Sequence, residues 1–266
     1  MRASTISILT VVIAAIGLAA IGGRARAADA APTAVVVELF TSEGCSDCPA
    51  ADRLLERLVA SQPIPGVEIV GLGQHVDYWD RLGWKDRFSS AALTNRQQIY
   101  GKRFNLESVY TPQMVVDGRA QLVGSDEGGA RTAIERAARS PHGTMRIDLD
   151  ASDSVRSVTL QVNADPFRQL GRGDRADVVV AITEDRLRTE VKRGENHGRT
   201  LTHAAVVRSM TTIGRAAADG PTSLHAEIPI GADWQRDQLK IVAFVQEQRG
   251  GGILASASHP LQTARR

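Results

Sequence analysis

Cysteine is scarce in this chain: two residues in 266, both inside Cys45-Ser46-Asp47-Cys48. They pair only with each other or with a partner molecule. The chain-entropy model gives about 2 kcal/mol for closing so short a loop, so stapling is a weak reason to keep the pair. No second C-x-x-C motif accompanies it, which leaves a closed tetrahedral metal site short of ligands. Basic stripes interleaved with aromatics are also missing, and nucleic acid is therefore not an expected partner. After Ala30 no apolar run reaches the roughly 20 residues of a spanning helix, so the mature chain is expected to be soluble. Internal repeats and low-complexity segments are absent from the sequence too.

What is there begins with a secretory pattern over residues 1–27: Arg2 as the positive start, an apolar stretch from Ile6 to Ile21, and Ala25-Arg26-Ala27 as a small-x-small cleavage site. Ala28-Asp29-Ala30 offers a second cut. The competing reading, an uncleaved anchor, has an apolar stretch shorter than a bilayer requires. Removal takes Arg2, Arg24 and Arg26 with it, leaving 29 basic against 30 acidic residues over about 239 positions. The expected location is periplasmic or secreted, where a disulfide persists.

Residues 33–140 alternate short apolar runs with helical periods, the pattern of an α/β unit. Strands are predicted at 34–40 and 67–74, helices at 49–61, 89–104 and 125–139, and a hairpin over 114–124 around Asp117-Gly118. Pro49 suits a first helical turn. Pro141-His142-Gly143 reads as a linker. Residues 144–255 then carry alternating strands without a long helix, the texture of a β-sandwich, with turns at Ser152-Asp153, 171–173, 194–198 and Asp219-Gly220-Pro221. The expected fold class is thus an α/β thioredoxin-like domain followed by an all-β sandwich-like domain.

The first strand, the cysteine pair opening a helix and the later Thr111-Pro112 together resemble the thioredoxin superfamily. That resemblance implies a cis-proline at Pro112, with Thr111 pairing its backbone to a substrate. It also implies a buried acid in the first strand, matched to Glu38 with a one-residue offset. Helix N-terminal amides and dipole favour thiolate, which makes Cys45 the nucleophile and Cys48, one turn in, the resolving thiol. Glu38 could take the proton of Cys48, or it could face an edge or cap a loop. Glu43 and Asp47 make the motif acidic and oppose thiolate, which argues against a powerful oxidant.

Taken together, the stretches 36–45 (VVELFTSEGC), 75–86 (HVDYWDRLGWKD) and 110–118 (YTPQMVVDG) resemble the secreted thioredoxin-like family catalogued as the domain of unknown function numbered twelve twenty-three. The resemblance implies fold and export and supplies no substrate.

Tyr78, Trp79 and Trp84 could wall a substrate groove beside Cys45, with Asp77, Asp80 and Asp86 interspersed, or could plug a satellite core. The leading function is exported thiol–disulfide exchange on a protein or small-molecule thiol or disulfide, without a cofactor. Alternatives are copper or zinc binding through Cys45, Cys48 and His75, and a non-catalytic binding protein with an inert disulfide. His197 and His203 are read as a turn and a strand histidine rather than a metal pair. The stretch from Arg193 to Arg199 is read as a plain hairpin connection, with a partner-binding loop as its rival.

Overall fold

The computed structural model describes residues 31–150, 156–171 and 174–261. The secretory pattern of residues 1–27 and the Ser152-Asp153 turn lie outside the described residues, as does part of the 171–173 turn.

Strand β1 (Thr33–Thr41) is buried on both faces and central. It pairs in parallel with β2 (Val67–His75) and antiparallel with β3 (Gln113–Val116). β3 turns back into β4 (Ala120–Val123), with Asp117 and Gly118 at φ of 49° and 61°. Side chains alternate across β1 with the period of a strand. Val35, Val37 and Leu39 meet Leu54, Leu55 and Leu58 of helix α1 (Cys48–Ser61) and Ile134 of α3 (Glu127–Ala138). On the other face, Val36 packs with Val70, Leu72 and Leu93, the last carried by α2 (Ala91–Arg103). Ser90 caps α2 by accepting the Leu93 N–H at 3.3 Å.

Beyond α3 the chain forms β5 (Met145–Leu149), β6 (Ser157–Ala164), β7 (Arg175–Glu184), β8 (Leu187–Glu190), β9 (Thr200–His203), β10 (Val206–Ala217), β11 (Thr222–Pro229), β12 (Leu239–Glu247) and β13 (Ile253–Pro260). Strands β11, β6 and β5 make a three-stranded sheet. Its Leu160 and Val162 share a core with Val178, Val180 and Ile182 of β7. The alternate residues Val179 and Ala181 pack towards Val36 and Leu72 instead. No helix among the described residues is long and apolar enough to cross a membrane.

The expected fold class requires correction. The described residues are predominantly β, with three α-helices, and β1 to β4 are not the sheet of a free-standing α/β thioredoxin-like domain followed by an all-β sandwich-like one. They are half of one mixed eight-stranded sheet, ordered β13-β12-β7-β10-β2-β1-β3-β4. The join lies between β2 and β10, where Val206 runs parallel to Gly73 and the Gly73 N–H donates to the Ala205 carbonyl at 2.7 Å. Glycine permits that approach: a Cβ on Gly73 would lie 3.1 Å from the Ala204 oxygen, and one on Gly71 2.5 Å from Val59. Hydrophobic alternation identifies each strand but carries no information about which neighbour it pairs with, so the join went unread.

Candidate functional site

Cys48 is the first residue of α1, and Cys45 precedes it by the tight turn in which the Cys48 N–H donates to the Cys45 carbonyl at 3.3 Å. Their sulfurs stand at disulfide distance, 2.24 Å. Both cysteines are buried, at 1% and 0% exposure, whereas Ser46 and Asp47 between them are exposed. Asp47 occupies the N-cap position without a side-chain cap hydrogen bond.

Beneath the pair lies a buried acid–base cluster. Asp52, four residues after Cys48 and so on the same helical face, accepts the Thr41 hydroxyl at 2.7 Å. His203 of β9 places Nε2 3.3 Å from Glu43 Oε1 and Nδ1 3.9 Å from Asp52 Oδ2. Among the described residues, neither His203 nitrogen, nor Glu43 Oε1, has a hydrogen-bond partner. Edge-on to His203, at 4.9 Å between ring centroids, is His75 at the end of β2. Its Nδ1 lies 2.6 Å from Asp86, which also accepts the N–H groups of Glu43 and Phe88.

Burial pushes the Asp52 carboxyl up, against the opposing pull of His203, His75 and the Thr41 hydroxyl. Burial also works to lower His75, but the Asp86 carboxylate outweighs it and holds the imidazole above its ordinary value. Asp86, though burial would raise it, is held below the carboxylate range by His75 and the two amides. The cluster therefore combines a histidine–carboxylate pair shifted towards its charged form with a carboxyl shifted towards its protonated form.

The structure brings together some of the residues singled out in the sequence and separates others. Thr111-Pro112 is a cis peptide and borders, with Ser46, Asp47, Pro49 and Arg199, an open groove of about 860 Å³ at the N-terminal end of α1. Glu38 is elsewhere. Strand alternation puts it on the sheet face opposite α1, where the Arg96 guanidinium binds it at 2.6 and 2.9 Å, so the structure does not bring it to Cys48. The three aromatics do not line the groove. Trp79 donates Nε1–H to Thr111 Oγ1 at 2.8 Å, Trp84 donates to Glu43 Oε2 at 2.8 Å, and Tyr78 packs with Phe40 and Tyr100. Among the described residues, no three or more His, Cys, Asp or Glu side chains are arranged to hold a metal. His75, the imidazole of the metal alternative, is committed to Asp86.

Sequence reasoning missed Asp52, His203 and Asn196. Asp52 had a signal, an acid on the apolar stripe of α1 directly after Cys48. Asn196 lies in the Arg193 to Arg199 stretch read as a plain hairpin connection, and its contacts are set by that hairpin folding back over about 150 residues: its Nδ2 donates to the carbonyls of Glu43 and Cys45 at 2.9 and 2.8 Å.

A β-rich chain with a closed cysteine pair at a helix N-terminus is the class that fold and site define. Residues 36–246 match the family described as "Protein of unknown function (DUF1223)", and the chain belongs to it. Among solved structures, an Agrobacterium tumefaciens protein from a structural genomics programme is 26% identical, with TM-score 0.67, covering 88% of this chain and 97% of its own. HBP35 of Porphyromonas gingivalis shares the fold at 14% identity, TM-score 0.62, covering 89% and 79% respectively. No curated protein matches the sequence.

Proposed function

We propose that the protein is an exported thiol–disulfide exchange protein acting on thiol or disulfide substrates. The observation that carries this reading is the placement of Cys45 and Cys48 at disulfide distance at the N-terminus of α1, with the buried Asp52 one helical turn further along the same helix. In the reducing direction the Cys45 thiolate attacks a substrate disulfide. One substrate sulfur leaves as thiolate and a mixed disulfide forms. Cys48 then loses its proton and attacks Cys45 Sγ, the second substrate sulfur leaves, and the pair is oxidised as the substrate is reduced. Buried Cys48 cannot lose that proton to bulk water directly. Asp52 lies one helical turn below it and takes the role first assigned to Glu38.

Cys48→Ser stops the resolving step. Expressed in the native host, it is expected to accumulate mixed disulfides through Cys45, seen as adducts that collapse on reduction in non-reducing gels. A clean gel, with Cys45 free in the variant, ends the reading. The burial of both cysteines favours one competitor, an inert structural disulfide in a binding protein. A reduction potential below about −300 mV would mark that case.

A further inference from the structure

The backbone of the Cys45 turn is held by residues 191–199, which link β8 to β9. Asn196, itself fully buried, gives Nδ2–H to the Cys45 and Glu43 carbonyls, and its Oδ1 accepts Arg199 Nη1 at 2.9 Å. Next to it, Glu195 Oε2 accepts the Ser46 N–H at 3.1 Å. These two side chains give the Cys45 carbonyl a donor and the Ser46 amide an acceptor, the pair of groups that the backbone of an extended polypeptide offers when it adds along an edge.

Leu187, Val191, Leu201 and His203 bury the base of the hairpin, whereas residues 192–199 at its tip are exposed apart from Asn196. Among the described residues, β8 and β9 pair only with each other, outside the eight-stranded sheet. Arg186, directly before β8, and Ala205, directly before β10, take positive φ of 59° and 52°, and Gly194 and Gly198 within the connection take 76° and 79°. Lifting residues 194–199 breaks side-chain contacts and the two backbone bonds of Val191 with Gly198 and Arg199, but no ladder of the large sheet.

We propose that this hairpin is a lid on the cysteine pair, latched by Asn196, and that Asn196 determines specificity: small thiols are held off, and Cys45 is opened by an extended polypeptide whose backbone replaces the Asn196 and Glu195 contacts. The proposal rests on the exchange reading for its biological use, but its physical content is access.

The test measures reduction of the oxidised full-length protein by two thiols, free cysteine and an unstructured peptide with one central cysteine. In each case the attacking thiolate bonds to Cys45 Sγ, Cys48 leaves as thiolate and is protonated, and a second thiol releases Cys45. Wild type is expected to favour the peptide by about tenfold. Asn196→Ala, stripped of two buried hydrogen bonds to the Cys45 turn, is expected to react at least about tenfold faster with free cysteine and to lose the preference. A folded Asn196→Ala that reacts at the wild-type rate, or a wild type indifferent to the peptide, overturns the lid. If Asn196→Ala does not fold, the exposed pair Glu195→Ala and Arg199→Ala decides: an unchanged ratio between the two thiols also overturns it. Failure of the exchange reading is separate, appearing as no adduct on Cys48→Ser while these rates still shift.

Discussion

Two buried carboxylates on opposite faces of one sheet are compensated in different ways. Glu38 is fully inaccessible, and everything near it donates: Arg96 by two guanidinium nitrogens, Tyr100 by its hydroxyl and Gln74 by its amide. Gln246 closes the ring, accepting from Arg96 at 3.0 Å and donating to Tyr100 at 2.8 Å and to the Gly251 carbonyl at 2.9 Å. Asp52 has one hydroxyl donor and an unpaired imidazole at 3.9 Å. A charge held by a two-pronged guanidinium stays where it is. A carboxyl lacking a close cation is free to gain and lose a proton. The first arrangement fixes a structure, and the second is suited to chemistry.

The largest effect that would break this comparison is on the Glu38 side. Arg96→Met strands a buried carboxylate and is expected to cost about 3–5 kcal/mol in urea unfolding, while the rate at which dithiothreitol reduces Cys45–Cys48 stays at the wild-type value. A stable Arg96→Met protein with an altered reduction rate would reverse the two roles.

Asp52→Asn is expected to do the opposite. Loss of the proton acceptor slows the resolving attack by Cys48 by about 100-fold near neutral pH, read as the lifetime of the mixed disulfide in rapid-quench experiments. Stability moves the other way. The carboxyl is raised on folding, so the native state binds its proton more firmly than the unfolded chain, and wild-type stability falls as pH climbs from the unfolded value of 3.8 through the raised one. Asparagine removes that fall, so the variant gains on wild type with rising pH over this window. Unfolding midpoints measured from pH 4 to pH 8 check the sign.

Local structure was legible because its causes are local. Pro49 at the helix start, Asp117-Gly118 in a turn and the Ser90 cap each act over a few residues, and α1, α2, β1, β2 and the β3–β4 hairpin fall within two or three residues of the predicted spans. Around the candidate site, the position of the cysteine pair at a helix start and the cis bond at Thr111-Pro112 were legible. Glu38 misled because a strand shows which residues share a face but not which face receives the helix. His203 read as a strand histidine, and it is one, yet its neighbours Glu43 and Asp52 lie about 150 residues earlier. Gly71 and Gly73, two glycines in a buried strand, were the available hint that another backbone comes close there.

Asp117 sits between the two cases and sharpens the contrast. It is buried, it accepts the Val36 N–H at 2.8 Å, and its partner is neither a permanent cation nor an unpaired ring but His142, with Nε2 at 2.7 Å. The other ring nitrogen faces the Ser140 carbonyl at 2.8 Å. Two acceptors on one ring require two protons, so this imidazole is most stable as imidazolium. The Asp117 hydrogen bond raises His142 above its ordinary value, with burial and Arg119 opposing. A histidine raised on folding contributes its full stabilisation below the unfolded value of 6.5 and loses it as pH rises through the folded one. His142→Ala is therefore expected to cost about 1–2 kcal/mol at pH 6 and progressively less as the solution becomes alkaline, without affecting reduction of the cysteine pair. A cost independent of pH would place Asp117 with Glu38, as a carboxylate whose partner is permanently charged or whose role is packing alone.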